Sequence, residues 1–461
     1  MQRLQRLFNP RSIAVIGGGA WGAEVIRQCQ KIGFSGDLWS VHPTKKDVAG
    51  LVPFASAQDL PAPPDAVFIG VNRYTTIEVT RALSQMGAGG AVCFASGFQE
   101  AAAEVGDGAD LQSALLEAAG EMPIIGPNCY GFLNYLDGVA MWPDQHGALR
   151  VEKGVALVTQ SSNVAINLTM QTRGLPLAYV VTVGNQAQTG LSEVGQALLE
   201  NPKVTTLGLH IEGLNDLAAF HALAATARRL GKPIVALKTG QSEQAQTAAI
   251  SHTASIAGSD AGADALLARL GIGRVGSLSA FLETLKLLHV TGPLSSANIA
   301  SMSCSGGEAS LMADAAHGTT VRFPALTDRQ AAQLRKTLGP LVALANPLDY
   351  HTFIWGNEDA MTATFTAMMS DAVSLGIVVL DFPRPDRCSS PDWDVVLNAV
   401  TRAQAQAGRP IAILGSLSEN IPEAVAQRLV AQGVMPFCGL SEAMEAIETA
   451  AFIGQCHVTD M

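Results

Sequence analysis

What this chain has little of narrows the reading first. Charged side chains make up only 15% of its 461 residues, and 29 Lys and Arg are outnumbered by 40 Asp and Glu, for a net charge of −11. No basic cluster interrupts that balance. Nucleic acid is therefore not expected as a partner, because binding a phosphate backbone needs a concentrated positive face. No run of about 18 apolar residues suggests a membrane span. The start, Met1 to Pro10, is too short and too charged to read as a signal peptide. The seven cysteines, at 29, 93, 129, 304, 388, 438 and 456, form no C-x-x-C pair and no zinc-spaced cluster with histidine. They read as reduced thiols in a cytoplasmic setting, with no metal site and no disulfide framework.

What is present is apolar and periodic. Hydrophobic residues make up 48% of the chain. That suits α/β domains whose parallel strands are buried on both faces. At a usual ~150 residues per domain, the length allows about three. The expected division is 1–148, 149–293 and 294–461.

Ser12-Ile13-Ala14-Val15-Ile16 reads as a strand, and a helix pattern runs from about residue 20 to Ile32. Between them stands Gly17-Gly18-Gly19-Ala20-Trp21-Gly22, a G-x-G-x-x-G loop in strand–turn–helix context. Gly17, Gly19 and Gly22 would let backbone approach a pyrophosphate, with a helix N-terminus offering its free N–H groups. The second strand ends at Val41-His42-Pro43-Thr44-Lys45-Lys46 without the carboxylate that holds a dinucleotide ribose. Lys45 and Lys46 suit a ligand with an extra phosphate, either NADP or the 3′-phosphate of coenzyme A. Strands at 66–71 and 90–95 run into Asn72-Arg73 and Ser96-Gly97-Phe98. Those residues belong at the carboxyl edge of the sheet, where open α/β sheets bind ligands.

A new strand at 154–159 runs into Gln160-Ser161-Ser162-Asn163 and a helix, a polar turn able to hold an anion. A strand at 207–211 carries Glu212 at its end, and one at 233–240 leads to Ser251-His252-Thr253-Ala254. His252 stands among small and hydroxyl-bearing residues. A neutral imidazole given such clearance can accept and pass on a phosphoryl group, although most histidines are structural. A third unit begins with a strand at 298–303, then Cys304-Ser305-Gly306-Gly307-Glu308 and a helix. Ser305, Gly306 and Gly307 form a second candidate phosphate cradle. Glu193 and Asp260 are further acidic candidates. His351, Trp355 and Asp381 to Arg384 could line an acid pocket or be ordinary loop residues.

Several of these segments, in order, resemble the NDP-forming acyl-CoA synthetases and succinyl-CoA synthetase. They are Pro10-Arg11-Ser12-Ile13-Ala14-Val15-Ile16-Gly17, Gly126-Pro127-Asn128-Cys129-Tyr130-Gly131, Ile211-Glu212-Gly213, the His252 loop, and Asn346-Pro347-Leu348-Asp349. The resemblance implies a Rossmann-like CoA-binding domain followed by two flavodoxin-like parallel-sheet domains. It implies CoA contacts from Asn72, Ser96, Gly97, Asn128 and Cys129, a phosphohistidine at His252, and Glu212 as the carboxylate that fixes its tautomer. The chain departs from the family pattern in having His42 for Asn, Ser162 for Gly and Gln188 for an acid. No segment resembles the ATP-grasp domain that holds ATP or ADP with Mg2+. The chain thus reads as an α-type subunit that needs a separate ATP-grasp β-type partner, takes a small carboxylic acid, and works in a homo- or hetero-oligomer. Two other readings stay open: a non-catalytic CoA-binding regulator or scaffold, and an NADP-dependent oxidoreductase.

Overall fold

The computed structural model describes residues 2–242, 244–245 and 260–458. These form two compact units, one of Met1–Gln171 with Pro176–Ile272, the other of Thr172–Leu175 with Gly273–Met461. His252 lies outside the described residues.

In the first unit, strands β1 (Ser12–Ile16), β2 (Asp37–Val41), β3 (Ala66–Ile69), β4 (Ala91–Cys93) and β5 (Ile124–Ile125) form a five-stranded sheet in the order β2-β1-β3-β4-β5. Every pairing is parallel. All residues of β1, β3, β4 and β5 are buried. That is why these strands read as continuous apolar runs and not as alternating ones. Helices Ala20–Ile32, Arg73–Met86 and Gly108–Ala119 connect them. The order reverses between β1 and β3, so the loops leaving those two strands flank the crevice where such sheets take ligands.

The second sheet of this unit is built from β6 (Phe132–Asn134), β7 (Val139–Met141), β8 (Gly154–Thr159), β9 (Leu177–Thr182), β10 (Val204–Ile211) and β11 (Ile234–Lys238). Their order is β11-β10-β8-β9-β6-β7. The first four are parallel, while β6 runs antiparallel to β9 and pairs with β7 as a hairpin. The hairpin falls within residues 1–148, yet its strands pair into this second sheet.

Two side-chain devices fasten the sheets together. Gln188 accepts the Ile124 N–H at 2.9 Å and donates to Gly120 O at 2.9 Å and Met122 O at 3.2 Å. Glu100 accepts from the Gly97 N–H at 2.7 Å and from the Asn185 amide. Gln188, which stands where the family pattern has an acid, thus holds the edge of the first sheet. The job needs a donor and an acceptor in one side chain, and an ionised carboxylate has no donor.

The second unit opens with the short strand β12 (Gly273–Val275). Its five-stranded sheet joins β13 (Ile299–Ser303), β14 (Leu348–Asp349), β15 (Leu375–Val379), β16 (Ile411–Gly415) and β17 (Pro436–Cys438) in the order β14-β13-β15-β16-β17. All pairings are again parallel. This is the flavodoxin-like order. Helices pack on it around a core that includes Met302, Leu334, Phe365, Val378, Val400 and Ile413. In the same unit Glu283 and Lys286 are fully buried, and the pair is completed by Arg173, whose guanidinium lies 3.0 Å from Glu283.

Candidate functional site

The first unit contains a cavity of about 1000 Å³. From the first sheet it is lined by Trp21, the loop Gly70 to Arg73, Phe94 to Ser96, and Asn128 to Tyr130. From the second it is lined by Gln160 to Asn163, Glu212, Thr239, Gly240 and Ala245. The segments that follow β3, β4, β5, β8, β10 and β11 therefore face one space, with Trp21 of helix Ala20–Ile32 beside them.

The glycine loop is shaped by close backbone packing. A Cβ on Gly17 would stand 2.5 Å from Gly70 O, and one on Gly22 would stand 2.3 Å from Gly17 O. Gly17 also has φ +116°, a region that side-chain-bearing residues rarely adopt. A Cβ on Gly19 would meet nothing within 4 Å, and Gly19 caps helix Ala20–Ile32 with no side-chain hydrogen bond. Open space over an uncapped helix start fits a phosphate-bearing group. His42 accepts the N–H groups of Thr44 at 3.2 Å and Lys45 at 3.1 Å. It thereby turns the chain as the family's Asn would. Lys45 Nζ donates back onto Gly18 O, closing over the glycine loop, and Lys46 is exposed.

Asn72 serves first as a helix cap. Its Oδ1 accepts from the Tyr74 and Thr75 N–H groups at 3.1 Å each, and it remains in the cavity wall. Ser96, Asn128 and Cys129 also line the cavity, whereas Gly17, Gly19, Gly22, Lys45, Lys46 and Gly97 are not among its lining residues. Burial pushes the Cys129 thiol well above its usual range. Cys129 is therefore a packed thiol and not a nucleophile.

On the opposite wall, Ser161 caps helix Ser162–Thr169 by accepting the Val164 N–H at 3.4 Å. Its own N–H donates to Thr159 Oγ1 at 3.0 Å. That hydroxyl also meets His210 Nδ1 at 2.9 Å. Burial, and then the Lys238 ammonium, push His210 down to about 4, so it is neutral near pH 7. Gln160 is spent on positioning. Its Oε1 accepts the N–H groups of Glu212 and Gly213, the latter at 3.0 Å, and its Nε2 donates to Gly213 O at 3.2 Å. The side chain expected to meet phosphate therefore fixes the strand end that carries Glu212. Ser162 Oγ accepts the Tyr130 N–H at 3.1 Å, so the added hydroxyl is turned onto the facing wall. Asn163 lines the cavity beside it.

Sequence reasoning did not single out Trp21, Phe94, Tyr130, Thr239 or Gly240, all of which line the cavity, whereas Arg73, placed at the sheet edge, lines it as expected. Two had a signal, since Trp21 stands inside the glycine motif and Tyr130 inside Gly-Pro-Asn-Cys-x-Gly. Glu193 pairs with Arg3 at 2.7 Å and is not among the lining residues. Asp260 opens helix Asp260–Arg269.

In the second unit, Ser305, Gly306 and Gly307 start helix Gly306–Ala315, and Ser305 makes no side-chain cap. A Cβ on Gly306 would lie 3.2 Å from Asp349 Oδ2. Glu308, half-buried, is pushed up to about 7 by burial and by the charges of Asp381 and Asp349. Asp381 itself is held in a turn, accepting from Ser416 N at 2.8 Å, Ser416 Oγ at 2.7 Å and Asn420 Nδ2 at 2.9 Å. Among the described residues no group of three or more His, Cys, Asp or Glu could hold a metal ion, and no helix is long and apolar enough to cross a membrane.

Comparison with known proteins places these features. Residues 11–135 match the CoA binding domain family, and residues 152–288 match the succinyl-CoA ligase like flavodoxin domain. The chain is 29% identical over its full length to the trans-feruloyl-CoA synthase FCS1 of an unknown prokaryotic organism, of which it covers 66%. It is 28% identical to the α subunit of the ADP-forming acetate–CoA ligase II of Pyrococcus furiosus, over 78% of this chain and 79% of that subunit. In fold it is similar to the dinucleotide-forming acetyl-coenzyme A synthetase 1 of Ca. Korarchaeum cryptofilum, with a TM-score of 0.83 at 23% identity, covering 99% of this chain and 98% of that one.

Proposed function

We propose that this chain, which belongs to the superfamily of NDP-forming acyl-CoA synthetases and succinyl-CoA synthetase, is the α-type subunit of an acid–CoA ligase: acid + ATP + CoA ⇌ acyl-CoA + ADP + phosphate. Residues 1–148 are read as the CoA-binding domain, 149–293 as the ligase-like domain with the phosphohistidine loop, and 294–461 as the second ligase-like domain. One observation carries the reading. The strand ends of the CoA-binding sheet and the Gln160–Asn163 turn with Glu212 open into a single cavity. A coenzyme thiol and a phosphorylated group can meet only if both sheets supply that space.

In this reading His252 attacks the terminal phosphorus of ATP. A P–N bond forms as the P–O bond to ADP breaks. A substrate carboxylate then takes the phosphoryl group, freeing the imidazole and giving an acyl phosphate. The thiol of CoA attacks its carbonyl carbon, and phosphate leaves. Glu212 accepts a hydrogen bond from one ring nitrogen and leaves the other free to attack. Gln160 holds Glu212 in place, and the start of helix Ser162–Thr169 offers N–H groups to the developing negative charge. Thr239 and Gly240, in the cavity wall, precede in sequence the segment that carries His252. ATP and Mg2+ belong to an ATP-grasp partner subunit, and the assembly is a hetero-oligomer.

The test is radiolabelled ATP with the chain and its partner. Acid-labile, base-stable label should appear at His252, the His252→Asn variant should take none, and Glu212→Gln should label more slowly. Full acyl-CoA synthesis by His252→Asn would refute the relay.

A further inference from the structure

The cavity is amphipathic in a way the reaction alone does not require. Opposite the polar Gln160–Asn163 turn, Trp21, Phe94 and Tyr130 form a closed triangle of rings. Their centroids lie 5.3 Å (Trp21–Phe94), 5.7 Å (Phe94–Tyr130) and 6.1 Å (Trp21–Tyr130) apart, with interplanar angles of 44°, 45° and 52°. All three rings line the cavity.

The triangle is held rigidly from behind. Tyr130 meets the fully buried Trp142 edge-on at 5.5 Å, and Phe94 rests on the fully buried Phe68 at 5.7 Å. From the front, Ser162 Oγ fixes the Tyr130 backbone. Trp21 nevertheless leaves 46% of its surface exposed. A large apolar ring held in a cavity wall and left wet gains most from a ligand that dries it.

Resting on the function proposed above, we propose that Trp21, Phe94 and Tyr130 form the acyl subsite, and that the acid this chain activates carries a flat aromatic body. A carboxyl group placed at the phosphate turn would direct the rest of the acid onto the three rings. A methyl group at that position would leave them in water. A pantetheine arm in the same cavity would have no ring to stack, so it would gain contact area and no aromatic geometry from the wall.

Calorimetry on the full chain with CoA, acetyl-CoA and cinnamoyl-CoA tests the assignment without the partner subunit. Cinnamoyl-CoA should bind about tenfold more tightly than acetyl-CoA, since ring pairing on top of apolar burial supports that order of advantage. Trp21→Ala, at an exposed position, and Tyr130→Leu, which keeps apolar bulk, should each cost cinnamoyl-CoA several-fold more affinity than they cost CoA. Equal affinities for the two thioesters would overturn the proposal. So would equal losses on CoA and cinnamoyl-CoA, which would give the wall to the pantetheine arm. Failure of all three ligands to bind would overturn it together with the CoA site on which it rests.

Discussion

Replacing Gln160 by Leu probes whether this residue positions Glu212 or simply faces the cavity. The side chain is 5% exposed and makes three hydrogen bonds, two accepted from the N–H groups of Glu212 and Gly213 and one donated to Gly213 O. Leucine fills a similar volume and returns none of them. Each bond contributes about 1 kcal/mol net, and each orphaned buried group costs about 1–3 kcal/mol. Cavity water can reach part of this strand end, which holds the loss nearer the lower figure, about 3 kcal/mol. For a unit of this size that corresponds to roughly 5–10 °C in melting temperature. Scanning calorimetry, read on the transition of the first unit, measures it. Hydrogen exchange at the amides of 212 and 213 should quicken in parallel, because the strand end has lost its acceptor. Gln160→Glu should lose less, since a carboxylate still accepts both N–H groups and forfeits only the donor. The labelling rate at His252 should fall in the same order as the amide protection. A Leu variant that melts within a degree of the parent, with unchanged exchange at 212 and 213, would refute the positioning role.

Gln188→Asp restores the acid of the family pattern but removes the donor to Gly120 O and Met122 O, and should cost about 2 kcal/mol in chemical denaturation. Lys46→Ala should weaken CoA more than dephospho-CoA in titration calorimetry, whereas Lys45→Ala, which loosens the Gly18 loop, should weaken both. Stability should also depend on pH through His210. Its folded pKa, about 4, lies below the ordinary 6.5, so the unfolded chain binds the proton first. Its contribution is full above pH 6.5 and is lost as the pH falls from there toward 4, by an order-of-magnitude 3 kcal/mol. His146, buried and also pushed down to about 4, adds in the same window, and His210→Gln should flatten the thermal-stability profile between those limits.

Strands β1, β3, β4, β8, β10, β11 and β13 were legible because buried parallel strands must be apolar throughout. The glycine loop was legible because only glycine permits the 2.3–2.5 Å approaches that a Cβ would make at Gly17 and Gly22. The β6–β7 hairpin was not legible. Its strands are three residues each, and nothing in so short a run signals which sheet will receive it. In the candidate site, Glu212 was legible as a strand-end carboxylate, and it lines the cavity. The sequence was misleading where a neutral amide can serve either ligand or backbone. Gln160 reads as a phosphate ligand, but its amide matches the two donors and one acceptor of the Glu212–Gly213 strand end and is spent there.

The departures from the family pattern carry the remaining information, and they become intelligible in pairs. His42 supplies through Nδ1 the acceptor that Asn would supply, so the turn into Lys45 survives the change. Ser162 and Tyr130 are 32 positions apart, and nothing in the sequence couples them. In the fold, the hydroxyl that replaces a glycine accepts the N–H of the residue whose ring completes the aromatic wall. A glycine at 162 would leave that N–H to water and the ring less fixed. The serine therefore fits the proposed acyl subsite better than a weakened phosphate cradle. On that argument Ser162→Gly should reduce the preference for cinnamoyl-CoA over acetyl-CoA while leaving the Ser161 cap of the same helix intact.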